Sequence, residues 1–584
     1  MESAGYLHIL ISLHAILFVC GNCPDKCSCP QDGLVQCSGK TITEFPSSLP
    51  LDTIRLDILD TKINSFKPSD FQRLHDSLRF LFINRAELKE IVPGAFDSVT
   101  RLEILVLTST PLQELSDGLF RNLVNLTKLI LSKNKLQMIH PDMFSSLINM
   151  KDLNLEENLL NSIPDEAFRQ LTKLQKLDLG GNNITAFSKT IFQNLHELQS
   201  LKLQKNALRE IPAGAFDHLT KLNDLSLHVN QIEHLPADLF SKQQNLKKLY
   251  LSNNRISELP EGIFQNMPNL TDISLHENQL VSLSSGIFGP MRLRQLWLYD
   301  NNLAHIGDNV FSNLTQLRLL VLSRNQIGTI SKDAFRGLSE LGEVSLHTNR
   351  LTTLEEGVFN GLLKLQNVSL ENNYLQFLPR YLFQNLPQLR KLELHNNSLE
   401  NLPQELLDSL DKATEVTLFD NPWKCDEDIL PLRNWINQHR SKVYNISQVV
   451  CHSPLSLKLT PLTDVRDEDL TSVTASNISN SSVTVTPVSL TTATTIQQRL
   501  LTSSFQTENS ATTSSSKITP SNSSEDFDNG EGQAGGLSKE AVLIIIVLIC
   551  TVLISSVIIC IACRRKKRRS SGNLNPTQKR NSAI

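Results

Sequence analysis

The sequence predicts an α/β solenoid: a horseshoe of short leucine-rich turns sharing one parallel concave sheet, closed by cysteine-bounded caps, with one transmembrane helix beyond. Three observations predict it. Asparagine recurs every 24 residues at 134, 158, 182, 206, 230, 254 and 278, then again at 301, 325, 349, 373, 397 and 421. Phenylalanine follows ten residues behind, at Phe144, Phe168, Phe192, Phe216, Phe240, Phe264, Phe288, Phe311, Phe335, Phe359 and Phe383. None of the ten cysteines lies between Cys37 and Cys425, so the body of the array holds itself together and disulfides are confined to its ends.

Each turn reads Leu-x-x-Leu-x-Leu-x-x-Asn-x-Leu, as in Leu174 to Ile184, where isoleucine takes the last place. The alternation Leu177-Asp178-Leu179 is a short strand with one buried face. A lone turn cannot bury that face, so turns stack and share a continuous core. The asparagine side chain can satisfy backbone groups of the turn that leaves the strand. Each buried leucine or phenylalanine contributes about 1.5–3 kcal/mol, and the phenylalanine column is expected as a spine under the convex side. Thr61, Ala86 and Thr110 replace asparagine in the earliest turns, while Phe71, Phe96 and Phe120 keep the spine. The step from Asn278 to Asn301 is 23, so one residue is missing near Met291-Arg292-Leu293. About fifteen turns over 51–420, with strands about 4.8 Å apart, make a sheet on the order of 70 Å long, the scale of a protein ligand.

The array is bounded by two cysteine clusters. Cys23, Cys27, Cys29 and Cys37 mark an N-terminal cap over 22–50, and four cysteines allow three pairings. Asn421-Pro422-Trp423-Lys424-Cys425, the amphipathic run Ile429 to Ile436, and Cys451 mark a C-terminal cap over 421–454. Residues 1–21 read as a signal peptide with an apolar core from Tyr6 to Val19. From 455 to 540 serine and threonine dominate without periodicity, as in an O-glycosylated stalk. Residues 541–563 carry no charge and are long enough to cross a bilayer; Arg564 to Arg569 follow and open a tail over 564–584. The positive-inside rule then places the N-terminal bulk outside, as in a single-pass type I protein of the plasma membrane. Cys560 and Cys563 are candidates for palmitoylation, and Ser582-Ala583-Ile584 for docking on a PDZ domain. Sequons fall at Asn125, Asn183, Asn269, Asn313, Asn367, Asn396, Asn445, Asn477, Asn480 and Asn522, with Asn367 expected on the concave face.

A formal net charge of −4 gives no bulk nucleic-acid signature. There is no nucleophile motif, phosphate loop or paired metal-ligand spacing, so no catalytic set, metal or cofactor is expected, and a zinc reading of the N-terminal cysteines sits poorly with a secreted segment. Most concave positions are Lys, Glu, Asp, Ser or Asn. Tyr250, Trp297, Tyr299 and Phe419 depart from that pattern, and exposed Trp and Tyr are favoured as interface anchors. The candidate ligand patch is Tyr250, Trp297 and Tyr299, with Arg324 at its margin. His228, His276, His347 and His395 share the strand position of Tyr299; they are too far apart to share one metal ion and are expected as neutral hydrogen-bonding surface residues.

The stretches Gly286 to Met291, Leu296 to Asn301, Ser345 to Asn349 and Asp420 to Trp423, with Asp428 to Trp435, resemble a family of membrane-anchored leucine-rich-repeat proteins. The resemblance implies the leucine-rich-repeat horseshoe and N-terminal pairs Cys23–Cys29 and Cys27–Cys37. Such C-terminal caps usually carry another cysteine where Glu427 stands, which leaves Cys425–Cys451 as the available bridge. It also implies cell–matrix adhesion and migration, with collagen, fibronectin and laminin as ligands. The alternative is a co-receptor or regulator that binds a soluble ligand or another membrane receptor.

Overall fold

The computed structural model describes residues 23–470. The signal-peptide segment, most of the Ser/Thr stretch, residues 541–563, the tail with Cys560, Cys563 and Ser582 to Ile584, and the sequons at Asn477, Asn480 and Asn522 lie outside them. Among the described residues no helix is long and apolar enough to cross a membrane.

One 19-stranded sheet runs through the array. Cys27–Gln31 and Leu34–Ser38 form an antiparallel hairpin that starts it. Leu34–Ser38 then pairs in parallel with Arg55–Leu59, and each later strand adds in parallel to the one before. The ladder ends with Glu415–Thr417 against Val443–Tyr444. The register follows the repeat: Leu177 lies between Leu153 and Leu201, so the central strand leucines form a column with almost no exposure.

The helical part is smaller than an α/β solenoid implies. Among the described residues the α-helices are Pro68–Phe71, Gln404–Asp408 and Leu430–Gln438, and most turns return along the convex side as chained tight turns. A 24-residue period, less the strand and its two bends, leaves too few residues for a stable helix. The phenylalanine spine fills that side instead. Phe335 and Phe359 stack at 6.0 Å between centroids, Phe359 and Phe383 at 5.9 Å, and both pairs are fully buried.

The asparagine column closes the polar account of the buried bend. Asn182 donates through Nδ2 to the carbonyls of Leu155 and Leu179 at 3.1 and 3.0 Å, and its Oδ1 accepts from the Leu160 N–H at 3.1 Å. Three backbone groups that would otherwise be buried unpaired are satisfied by one side chain. The same trio recurs at Asn349 and Asn397. In the early turns Thr110 joins the ladder by donating its hydroxyl and its N–H to Asn134. The Thr61 hydroxyl is buried without a partner.

Three disulfides close the ends: Cys23–Cys29, Cys27–Cys37 and Cys425–Cys451. Trp423 is fully buried and donates its indole N–H to the Leu418 carbonyl at 3.1 Å, locking the C-terminal cap onto the last turn. The cap does not stop at residue 454. Leu462, Val465 and Leu470 are buried in the same core, and the buried Arg433 guanidinium donates to the Val465 carbonyl at 3.2 Å. Residues 455–470, read as the start of the stalk, therefore belong to the folded cap. Their apolar residues are spaced too irregularly to match the repeat, which is why composition alone misplaced them.

Candidate binding surface

Side chains of alternate strand residues stand on the concave face in columns set by the parallel register. One column runs Ser226, Tyr250, Ser274, Trp297, Val321 across successive strands. A second, two residues further on, carries His228, Ser252, His276, Tyr299 and Ser323; the turn-to-turn backbone hydrogen bonds of the following residues make these positions neighbours. Tyr250, Trp297 and Tyr299 are half-buried and Arg324 is exposed, as a patch of anchors with a polar rim requires.

The structure brings three of the four predicted residues together through a residue that was not among them, His276. His276 stacks on Tyr299 at 4.4 Å with the rings 12° apart, and meets Trp297 edge-on at 6.4 Å. Arg324 lies over Tyr299 at 5.2 Å and pairs with Asp300 at 2.6 Å. The result is a continuous run, Trp297–His276–Tyr299–Arg324. Tyr250 belongs to a neighbouring pair: its ring meets His228 edge-on at 6.1 Å. Between the two groups the floor is serine, with the Ser274 hydroxyl donating to Ser252 at 3.2 Å. His228 and His276 depart from the hydrogen-bonding surface role that their sequence position predicts: the Nδ1 atoms of both are buried without a partner. The signal for His276 was its place in the Tyr299 column on the adjacent strand; the sequence alone could not say that the rings would stack.

Burial lowers the pKa of His276, and burial with the Lys205 charge lowers that of His228, so both rings are neutral at pH 7. Burial likewise raises the phenols of Tyr250 and Tyr299, which keeps them protonated. The patch thus presents uncharged rings flanked by carboxylates, suited to contact rather than to proton transfer. Phe419 lies apart, stacked on His395 at 4.5 Å near the C-terminal end. His347 and His395 flank Glu371 there, and both histidines have hydroxyl partners, Thr348 and Thr417. Among the described residues no group of three His, Cys, Asp or Glu is placed to hold a metal ion.

Of the described sequons, Asn125, Asn183, Asn313, Asn396 and Asn445 are exposed, while Asn269 and Asn367 are half-buried. Asn367 opens a concave strand and donates to the Glu343 carboxylate at 3.1 Å.

Comparison with known proteins matches this geometry. The model for the leucine rich repeat matches residues 76–136, 100–160, 124–184, 148–208, 339–399 and 363–422. A second leucine-rich-repeat model, of the BspA type, matches residues 185–318. Mouse podocan is 32% identical over 90 residues, 15% of this chain and 15% of podocan. Human leucine-rich repeat-containing protein 15 is 45% identical over 40 residues, 7% of each chain. These matches span only a small part of either relative's length. Among solved structures, a leucine-rich-repeat protein of Leptospira interrogans superposes with a TM-score of 0.50 at 28% identity, covering 69% of this chain and 94% of that one. A chain of the Drosophila Toll–Spätzle complex superposes with a TM-score of 0.56 at 22% identity over 75% of this chain and 71% of that one, a likeness of fold. The two repeat models together cover more than half of the sequence, and the structure repeats the strand and spine through the matched turns and the asparagine from Asn134 onward: the chain belongs to the leucine-rich-repeat proteins.

Proposed function

We propose that this chain is a cell-surface receptor that binds extracellular protein ligands, matrix proteins such as collagen, fibronectin or laminin, on the concave face of its solenoid. The observation that carries the reading is the run Trp297–His276–Tyr299–Arg324, an aromatic group half-open to solvent in the middle of a long concave sheet. Such rings are costly to leave wet and are the residue types that dominate binding energy in protein interfaces. The type I topology rests on the uncharged 541–563 segment with Arg564 to Arg569 behind it. N-glycans at the exposed sequons would then decorate the solenoid, and one at Asn367 would narrow access to the C-terminal half of the concave face. Palmitoylation at Cys560 and Cys563, and a PDZ partner at Ser582 to Ile584, belong to the same reading.

The test is adhesion of cells displaying the full chain to surfaces coated with collagen, fibronectin or laminin. Trp297→Ala combined with Tyr299→Ala is expected to reduce adhesion to the recognised coat at least tenfold at unchanged surface expression. Cells that adhere to no coat above background would sink the matrix assignment. Adhesion that survives the double substitution would move the ligand site elsewhere.

A further inference from the structure

The fold holds a guanidinium against an aromatic ring and a carboxylate in two places. Arg55 lies over Phe82 at 4.2 Å and pairs with Asp57 at 2.8 Å. Arg324 lies over Tyr299 at 5.2 Å and pairs with Asp300 at 2.6 Å. A third set of the same parts stands between them on the concave face. Tyr250 has Asp224 and Asp272 on the two flanking strands, with Trp297 beyond. Among the described residues no arginine of this chain lies over the Tyr250 or Trp297 ring or pairs with Asp224 or Asp272.

The charge there is unbalanced. Asp224 and Asp272 share Lys248, which lies between them in the register, and neither makes an ion pair within 4.0 Å. Lys202, the other cation near Asp224, is bound to Asp178 at 3.2 Å. The Asp224 Oδ1 is buried without a hydrogen-bond partner, as are the Nδ1 atoms of His228 and His276. Asp224 thus has a carboxylate oxygen without a donor on the strand beside Tyr250, and the two imidazoles that face the rings each have a ring nitrogen without a partner. The floor of the recess is the Ser252–Ser274 pair, and its walls are Tyr250 with His228 on one side and Trp297 with His276 on the other. The Tyr250 and Trp297 backbones are two strand spacings apart, about 10 Å, and the strand between them contributes only a serine at that level.

We propose that this recess receives an arginine side chain of a protein partner. The inference rests on the reading of the concave aromatics as the ligand surface and names what that surface recognises. A guanidinium is planar, stacks on aromatic faces and presents five donors in a fixed fork, which matches two ring walls flanked by the Asp224 and Asp272 carboxylates. A lysine ammonium supplies the charge but neither the plane nor the spread of donors. A neutral planar group such as citrulline supplies the plane but leaves the Asp224–Asp272 charge unanswered.

The experiment uses the full chain in detergent micelles and a small probe, so its result does not depend on which matrix protein binds. Trp297 is a built-in reporter, because Trp423 and Trp435, the other tryptophans, are buried in the C-terminal cap. Titration with N-acetyl-argininamide is expected to give a saturating change in tryptophan fluorescence. The lysine analogue should bind at least threefold more weakly and the citrulline analogue should not saturate. Tyr250→Ala and the near-isosteric Asp224→Asn should each weaken the arginine probe at least fivefold at an unchanged melting temperature. A linear response to the arginine probe overturns the proposal, as does a citrulline response equal to that of arginine, or unchanged affinity in Asp224→Asn. If the probe saturates as described while no matrix coat supports adhesion, the recess stands and only the matrix assignment falls.

Discussion

At the scale of single residues, the concave face carries one carboxyl whose environment is out of keeping with its surface position. Burial, with a contribution from the Glu393 charge, pushes Glu371 up to about 7, and its Oε2 has no hydrogen-bond partner. His347 and His395 flank it on the neighbouring strands, and burial lowers both. The sign of the linkage follows. A carboxyl whose folded pKa lies above its ordinary value of 4.5 favours folding while protonated. Its contribution is fully present below about 4.5 and is lost as the pH rises through 7. Glu371→Gln removes that loss. The variant should match the wild type in melting temperature near pH 4.5 and exceed it at pH 8, by on the order of 1 kcal/mol once solvent screening of this half-buried group is allowed for. A gap between the two proteins that does not change with pH would show that Glu371 is ionised in the fold. The histidines work in the opposite direction and lose stability as the pH falls below 6.5, so comparing variant with wild type at each pH isolates the carboxyl.

At the scale of elements, the one short turn shows how the solenoid tolerates a deletion. Strand register is unbroken across it, with Ile273, Leu296 and Leu320 in line, and the Asn301 side chain keeps all three of its backbone partners. The missing residue is absorbed on the convex side, where Phe288 still stacks between Phe264 and Phe311 at 5.8 and 6.0 Å. The tightening is concentrated at Gly289: a Cβ there would meet the Gln265 Cα at 2.7 Å and its carbonyl oxygen at 2.8 Å. Backbone cannot yield as a side chain can, so Gly289→Ala should destabilise the protein by about 1–3 kcal/mol, read as a lowered denaturant midpoint. Gly286→Ala has open space around its Cβ and tests only the left-handed backbone at that position. Equal effects of the two would mean that the crowding is relieved by movement of the turn. The deletion itself was legible from the interval between Asn278 and Asn301, because a side chain with three obligatory partners admits little drift. The close approach at Gly289 was not, since it depends on how two convex turns nest. The same division holds for the candidate site. Tyr250, Trp297 and Tyr299 could be read from strand alternation, whereas the His276 stack and the serine floor arise only when neighbouring strands are set side by side.

At the scale of the whole molecule, a solenoid is held by contacts between neighbouring turns, so its stability is a sum of local terms and its ends are its weakest parts. The asparagine ladder and phenylalanine spine repeat through the middle without needing a cross-link, which explains why the long interval between Cys37 and Cys425 contains no cysteine. The last turn has no successor to cover it. There Trp423, the Leu430–Gln438 helix and residues 455–470 take the place of a further repeat, and Cys425–Cys451 fastens them. A bridge closing a loop of this size contributes about 2–4 kcal/mol. Replacing Cys425 and Cys451 together by serine should therefore release the cap before the array. In native-state hydrogen exchange, amides from Glu415 to Leu470 should lose protection by about two orders of magnitude, while those of the Lys176–Asp178 and Lys248–Tyr250 strands keep theirs. Loss of protection spread evenly along the sheet would instead mean that the turns unfold as one cooperative unit, and that the cap stabilises the binding face at a distance of many strands.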